Sequence, residues 1–214
     1  MLDKTTSTPK RRGGDQRTAD IIDAALQLFS EQGYARTRLE DIAEKAGIST
    51  ATIYLYFENK DDLFYALIRE KVVPHVDRTE QIIAQHRGTS SDLLRNIIVS
   101  LGSMMATPPL GPAIKLLVAE SSSFPHVAAF YREQVIERGL NNLMQAIQAG
   151  IETGEFRACD PKVTATLVIF PLLMHGIWRQ SPMPHDWMTP PDFLGAHAEM
   201  ILRGLANPDS ERKN

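Results

Sequence analysis

The chain has 214 residues, one cysteine and a formal net charge of −3, with 43% apolar and 23% charged residues. This is the make-up of a folded globular protein with room for one large domain, or a small one joined to a larger. It excludes a disulfide framework or a cysteine metal cluster, since Cys159 stands alone, and it excludes nucleic-acid binding driven by bulk positive charge.

Residues 1–14 hold Thr, Ser, Pro and Gly around a basic cluster, Lys10, Arg11 and Arg12. With no apolar periodicity, they read as part of a flexible tail over 1–16. No apolar segment at the start resembles a secretory signal. The longest apolar run, around Leu167 to Leu173, is interrupted by Pro171 and falls short of the ~18 residues a membrane span needs. A reducing cytoplasm and no membrane partner are the expectation.

From about Arg17, Ile21, Ile22, Ala25, Leu28 and Phe29 recur three and four apart, predicting a helix that Gly33 ends. Leu39, Ile42, Ala43 and Ala46 mark a short second helix, and Ile48, Ile53 and Phe57 the apolar positions around a third. Between them, Ala46-Gly47-Ile48-Ser49 reads as a tight turn, with Gly47 free to take positive φ, Ile48 in the core and Ser49 capping the next helix. Asn59-Lys60-Asp61 restarts a helix through Leu63, Phe64, Leu67, Ile68 and Val72, continuing to about His86 with a kink at Pro74.

Beyond Gly88, helices are predicted near 92–106, stopped by Pro108-Pro109, and near 111–122. A long helix follows from Pro125 to about Thr153, then one over 161–180 interrupted or bent at Pro171, a proline-bearing linker over 182–191, and a last helix over 191–205. With no strand alternation and no internal repeat, the fold class is all-α with about nine helices.

Residues 37–57, TRLEDIAEKAGISTATIYLYF, meet the needs of a helix-turn-helix: a short helix, a turn, and a second helix that offers its exposed side to a major groove. Between the anchors Ile48, Ile53 and Phe57, the outward side chains are Thr50, Ala51, Thr52, Tyr54 and Tyr56. Hydroxyls can donate to phosphates, and Thr or Ala methyls can meet the thymine C5 methyl. A helical hairpin inside a bundle, with the tyrosines as packing aromatics, satisfies the same spacing. Residues 1–60 hold nine Lys/Arg and nine Asp/Glu, so any DNA contact depends on where charges sit.

The pattern Ile21-Ile22-x-x-Ala25-x-x-Leu28-Phe29, Gly33-Tyr34, Asp41-Ile42-Ala43, Ala46-Gly47-Ile48-Ser49, Thr52-Ile53-Tyr54, Tyr56-Phe57 and Asn59-Lys60-x-x-Leu63 strongly resembles the tetracycline-repressor (TetR) family of regulators. The resemblance implies a DNA-binding domain over 17–60, with Thr50–Tyr56 as its recognition helix. It implies Ser49, Thr50, Ala51, Thr52 and Tyr54 at or beside the groove, Tyr56 near a phosphate, Lys60 on the backbone, and Thr37 and Arg38 on phosphates. Two departures stand out. Family members often carry Gly at Ala51, where the added methyl changes a close approach, and His at Tyr56, which here cannot carry charge. Lys10, Arg11 and Arg12 read equally as an arm reaching the DNA or as a solvated tail.

The resemblance further implies a regulatory and dimerisation domain over 61–206, before a short disordered tail over 207–214. The segment 111–156 resembles the AefR-like branch. Methionines and aromatics at helical spacing can line an adaptable pocket. The candidates are Leu101, Met104, Met105, Leu117, Glu120, Phe124, Phe130, Leu143, Met174 and Trp178, for which core packing is the competing reading. Val163, Leu167, Phe170, Leu194, His197, Ala198, Ile201 and Leu205 are expected at a two-fold interface.

The function implied is a ligand-responsive regulator, by the resemblance a repressor, released from a palindromic operator by an apolar or amphipathic effector. Double-stranded DNA, a second copy of the chain and that effector are its expected partners. A helical interaction module without DNA binding is the rival. The chain has no glycine-rich phosphate loop, G-x-S-x-G elbow, H-E-x-x-H or paired Cys/His spacing, so no enzyme, cofactor or metal is expected.

Overall fold

A computed structural model describes residues 10–120, 125–181 and 190–208. Among these the secondary structure is helical, apart from one antiparallel bridge between Phe156 and Ala206. The helices are α1 (Lys10–Gln32), α2 (Leu39–Lys45), α3 (Thr50–Ile53), α4 (Lys60–Lys71), α5 (Val73–Gln85), α6 (Ser90–Met105), α7 (Leu110–Glu120), α8 (Pro125–Tyr131), α9 (Arg138–Glu152), α10 (Pro161–Arg179) and α11 (Phe193–Leu205). A π-helical turn, Arg132–Glu137, joins α8 to α9. Among the described residues, taking α4–α5 and α8–π–α9 each as one interrupted helix gives the nine expected.

Two boundaries differ from the sequence reading. The first helix begins at Lys10, so the basic cluster lies within it, not in a tail ending at residue 16. Apolar periodicity marks where a helix packs, starting at Ile21. The turns before it are held by backbone bonding and by pairs such as Gln16 Nε2 donating to Asp20 Oδ1 at 3.0 Å. Pro74 does more than kink. The chain breaks at Val72 and restarts with Pro74 in the first turn of α5, where a missing N–H costs little.

The chain divides into compact units at Leu67/Ile68, inside α4, not at residue 60. The first unit needs the start of α4 for its core. Phe64 packs 5.6 Å from Phe29 and 5.0 Å from Tyr34, whose rings lie 5.1 Å apart, and Leu63 and Leu67 are fully buried. Each such side chain contributes roughly 1.5–3 kcal/mol.

The core of the second unit is built from Leu94 and Ile98 of α6, Leu143 and Ile147 of α9, Val168 and Leu172 of α10, and Ala198 and Leu202 of α11. Its helix ends are closed by side chains. Asp160 accepts from the backbone N–H of Lys162 and Val163 at the start of α10, and the Glu155 carboxylate accepts from Ser90 and Ser91 at the start of α6. Helix α10 runs unbroken through Pro171 and, at 19 residues, is long and apolar enough to cross a membrane by length and composition. This corrects the reading of an interrupted run. Its Ala165, Val168 and Leu172 are buried in the core of the unit.

Candidate nucleic-acid interface and effector cavity

The turn between α2 and α3 is made as its residues require. Gly47 sits at φ 69°, and Ala46 donates its N–H to Ile42 at 2.9 Å. Ile48 is half-buried, and Ser49 caps α3 by accepting from Thr52 N at 3.1 Å. The Ser49 and Thr52 hydroxyls also bond one another at 2.7 Å, so Ser49 shapes the turn and orients Thr52. The α-helical part of the recognition element is only Thr50–Ile53. It is extended by a turn in which Leu55 donates to Thr52 and Tyr56 to Ile53. Ile53 and Phe57 anchor this turn in the core.

Ala51 and Tyr54 lie outside as expected, with Thr50, Thr52 and Tyr56 half-buried. The residue the sequence reading passed over is Leu55, 81% exposed beside Tyr54 at 51%. Ala51, Tyr54 and Leu55 stand at helical spacings of three and four and form one outward face. Its place two residues before the anchor Phe57, off the anchor spacing, was the available signal. A hydroxyl flanked by aliphatic groups suits a groove edge carrying acceptors and thymine methyls.

The residues expected on phosphates divide. Arg38 is exposed, with its guanidinium 3.5 Å from Glu40. Thr37 is 1% exposed and its hydroxyl donates to Gly33 O at 2.8 Å, which corrects the phosphate assignment. Lys60 is also held inward. Its ammonium donates to the carbonyls of Tyr34 at 2.8 Å and Thr37 at 2.9 Å and sits 4.4 Å from the centre of the Tyr34 ring, while the Tyr34 hydroxyl donates to Asp61. The loop after Gly33 leaves carbonyls without helical partners, and Lys60 supplies their donors.

Thr37→Val is therefore expected to cost about 1–2 kcal/mol of stability, read by urea unfolding, while leaving the salt dependence of DNA binding unchanged. Arg38→Ala is expected to do the reverse, lowering the salt slope by about one ion per protomer with little change in stability. The side chains of Lys10, Arg11 and Arg12 lie outside the described residues.

The second unit holds a partly open, mostly apolar cavity of about 50 Å³. Ile97, Leu101 and Met105 of α6, Ile114 of α7, and Val135, Gly139 and Leu143 on the π turn and α9 form its wall. Leu101, Met105 and Leu143 were expected here. The polar lining, His75, Thr79, Tyr131 and Asn142, was not.

The other pocket candidates are placed elsewhere. Met104 lines a neighbouring cleft of about 230 Å³ and lies 3.2 Å through sulfur from His75 Nδ1. Leu117 is buried in the helix packing and Met174 is exposed, which corrects both. Phe130 lies under the Arg69 guanidinium at 5.4 Å. Glu120 and Trp178 are half-buried away from the cavity lining, and Phe124 lies outside the described residues.

Burial pushes the Tyr131 phenol up to about 12. Burial, and then the nearby charge of Arg78, holds His75 below its ordinary value, and burial followed by Arg179 does the same to His175. The unfolded chain thus takes up these protons at higher pH than the folded one. The stability linked to both rings is intact above the ordinary histidine value of about 6.5 and drains away as the pH falls below it. His175→Phe, which keeps the ring stack on Phe193 (4.6 Å), is expected to flatten this acid-side loss. Urea midpoints at about pH 7.5 and about pH 5.5 measure it.

On α10, Val163, Leu167, Phe170 and Met174 form an exposed apolar stripe spaced four, three and four apart. The α11 candidates are different. His197, Ala198 and Leu205 are buried in their own unit, with His197 Nε2 3.0 Å from Val168 O, and Leu194 and Ile201 are half-buried. Met200 is the large apolar side chain that α11 turns outward.

Comparison with known proteins matches this architecture at both ends. Residues 21–67 match the bacterial regulatory proteins of the tetR family, and residues 84–190 match a tetracyclin repressor-like C-terminal domain. The chain is 31% identical over 192 residues to the fatty acid metabolism regulator protein of Bacillus subtilis, covering 87% of this chain and 94% of that protein. Among solved structures, the fatty acid degradation regulator FadR from Bacillus halodurans superposes with a TM-score of 0.72 at 26% identity, over 87% of this chain and 98% of the other. The regulator FadR from Bacillus subtilis in complex with stearoyl-CoA gives 0.68 at 24% identity, with the same coverage. The chain belongs to the tetR family of bacterial regulatory proteins, and it is a ligand-responsive DNA-binding transcriptional regulator.

Proposed function

We propose that the chain is a homodimeric repressor, working in the cytoplasm, that leaves a palindromic operator when an amphipathic effector with an acyl chain enters the second unit. The observation that carries the DNA half is the outward Ala51–Tyr54–Leu55 face on a capped, anchored turn. Residues 17–60 with the start of α4 read the operator, Arg38 meets phosphate, and Lys10, Arg11 and Arg12 extend the contact as a basic arm. The exposed α10 stripe pairs with its copy, so one dimer presents two recognition elements to half-sites ~34–36 Å apart.

The effector class is supported by the apolar cavity and by kinship with fatty-acid regulators. A chain that fills this cavity touches α5, α6, α7 and α9 at once and so acts on how they pack together. Binding thus favours a second arrangement of the unit, as release from DNA requires. Residues 111–156 carry the AefR-like likeness, a finer kinship within the family. The chain acts by binding, without turnover.

The test is a mobility shift on the DNA upstream of its own gene, titrated with palmitoyl-CoA. A specific shift that palmitoyl-CoA removes supports the reading, and a shift indifferent to it overturns the effector class. Replacing Lys10, Arg11 and Arg12 by Ala is expected to weaken binding and lower the salt slope by up to about three ions per protomer. An unchanged slope removes the arm.

A further inference from the structure

Asn142 lies on the cavity-facing stripe of the π turn and α9, with Val135 and Gly139 before it and Leu143 beside it. It is 5% exposed, yet its amide Nδ2 has no hydrogen-bond partner in the protein. An unpaired buried donor costs stability, so such a group in a native structure calls for an explanation. Its position supplies one. Asn142 lines both the apolar cavity and a cleft of about 380 Å³ on the other side of it. That cleft is walled by polar side chains, Glu80, Arg138, Asn141 and Gln145 among them.

The cleft carries no spare positive charge, because the Arg138 guanidinium is bound by Asp77 at 2.6 Å and Glu80 at 2.9 Å. A ligand crossing from the apolar side to the polar one therefore meets a lone amide donor at the junction and hydrogen-bonding groups beyond it. The cavity wall here includes the π turn, an irregularity frequent at functional sites because it re-aims the side chains around it.

We infer that Asn142 is the effector anchor: its Nδ2 donates to the carbonyl oxygen at the head of an acyl chain whose apolar part lies among Leu101, Met105, Ile114 and Leu143. This rests on the effector reading proposed above. The carbonyl is the acceptor the site lacks, and an alkyl chain without one leaves the donor unpaired. Discrimination between the two arises because a buried group built to bond a polar atom penalises the analogue lacking it.

The experiment compares palmitoyl-CoA with S-hexadecyl-CoA, the thioether with a methylene in place of the carbonyl, by calorimetric titration of the full-length protein. The wild type is expected to bind the thioester about tenfold more tightly. Asn142→Leu is expected to bring the two within about twofold of each other while raising the unfolding temperature of the ligand-free protein. Gln148→Leu, further along on the exposed side of α9 and outside both the cavity and the cleft, is expected to keep the preference. Equal binding of both probes by the wild type, or a preference that survives in Asn142→Leu, overturns the anchor while leaving the acyl effector standing. If the wild type binds neither probe, the effector reading fails and the anchor with it.

Discussion

Tyr54→Ala should abolish the specific operator shift, weakening binding by at least about 30-fold, with the unfolding temperature within about a degree of wild type. Tyr54 closes α3 at its C-cap and points outward, so its removal leaves the anchors Ile53 and Phe57 untouched. A contact worth about 1–1.5 kcal/mol is made once per half-site and so is lost twice on a palindrome. Leu55→Ala should cost less, and its loss should depend on sequence. An operator whose thymines are replaced by deoxyuridine lacks the methyl groups that an aliphatic side chain meets, so on that DNA wild type and Leu55→Ala should bind alike. Full binding by Tyr54→Ala would place recognition elsewhere in the chain. Phe57→Ala is the contrast. It empties an anchor position, should cost about 3–5 kcal/mol of stability, and would lose DNA binding by unfolding the first unit.

What the sequence disclosed here follows from how local each feature is. The turn from Ala46 to Ser49 and the stop at Gly33 could be read because a positive φ and an N-cap are set by residues within a few positions. The spacing of Ile21, Ile22, Ala25 and Phe29 likewise announced the first buried face. Lys60 and Thr37 could not be read the same way. Each is polar at a helix start, where phosphate contact and carbonyl capping look alike in one dimension, and only the return of Tyr34 beside Lys60 decides between them. Three of the residues expected at an interface on α11, His197, Ala198 and Leu205, were misplaced for a related reason. Apolar residues populate more than one face of that helix, so periodicity does not say that His197 and Ala198 turn inward and Met200 outward. The polar side of the cavity was hidden because His75, Tyr131 and Asn142 come from α5, α8 and α9 and meet only in the fold.

The second large effect concerns assembly. Leu167→Glu combined with Phe170→Glu should convert the dimer to a monomer at micromolar concentration, as read by sedimentation equilibrium, without lowering the helix content. Both side chains are 60% exposed on α10 and contribute little to their own unit, so the folded protomer tolerates the change. In a two-fold interface the same pair is buried twice, and roughly 1–2 kcal/mol per side chain per copy is lost along with the burial of four carboxylates. A weakening of at least about a thousandfold in dimer affinity follows. DNA binding should fall with it, because two half-sites held by one dimer gain an effective concentration worth about 10²–10⁴ in affinity that separate monomers forfeit. His197→Ala separates interface from core. Its ring is buried beside Phe193 and bonded to Val168, so it should lower the unfolding temperature and leave the assembly state of the folded protein dimeric. A double variant that remains dimeric would move the interface off α10, and the spacing of the two recognition elements would then have to be set by a different pair of helices.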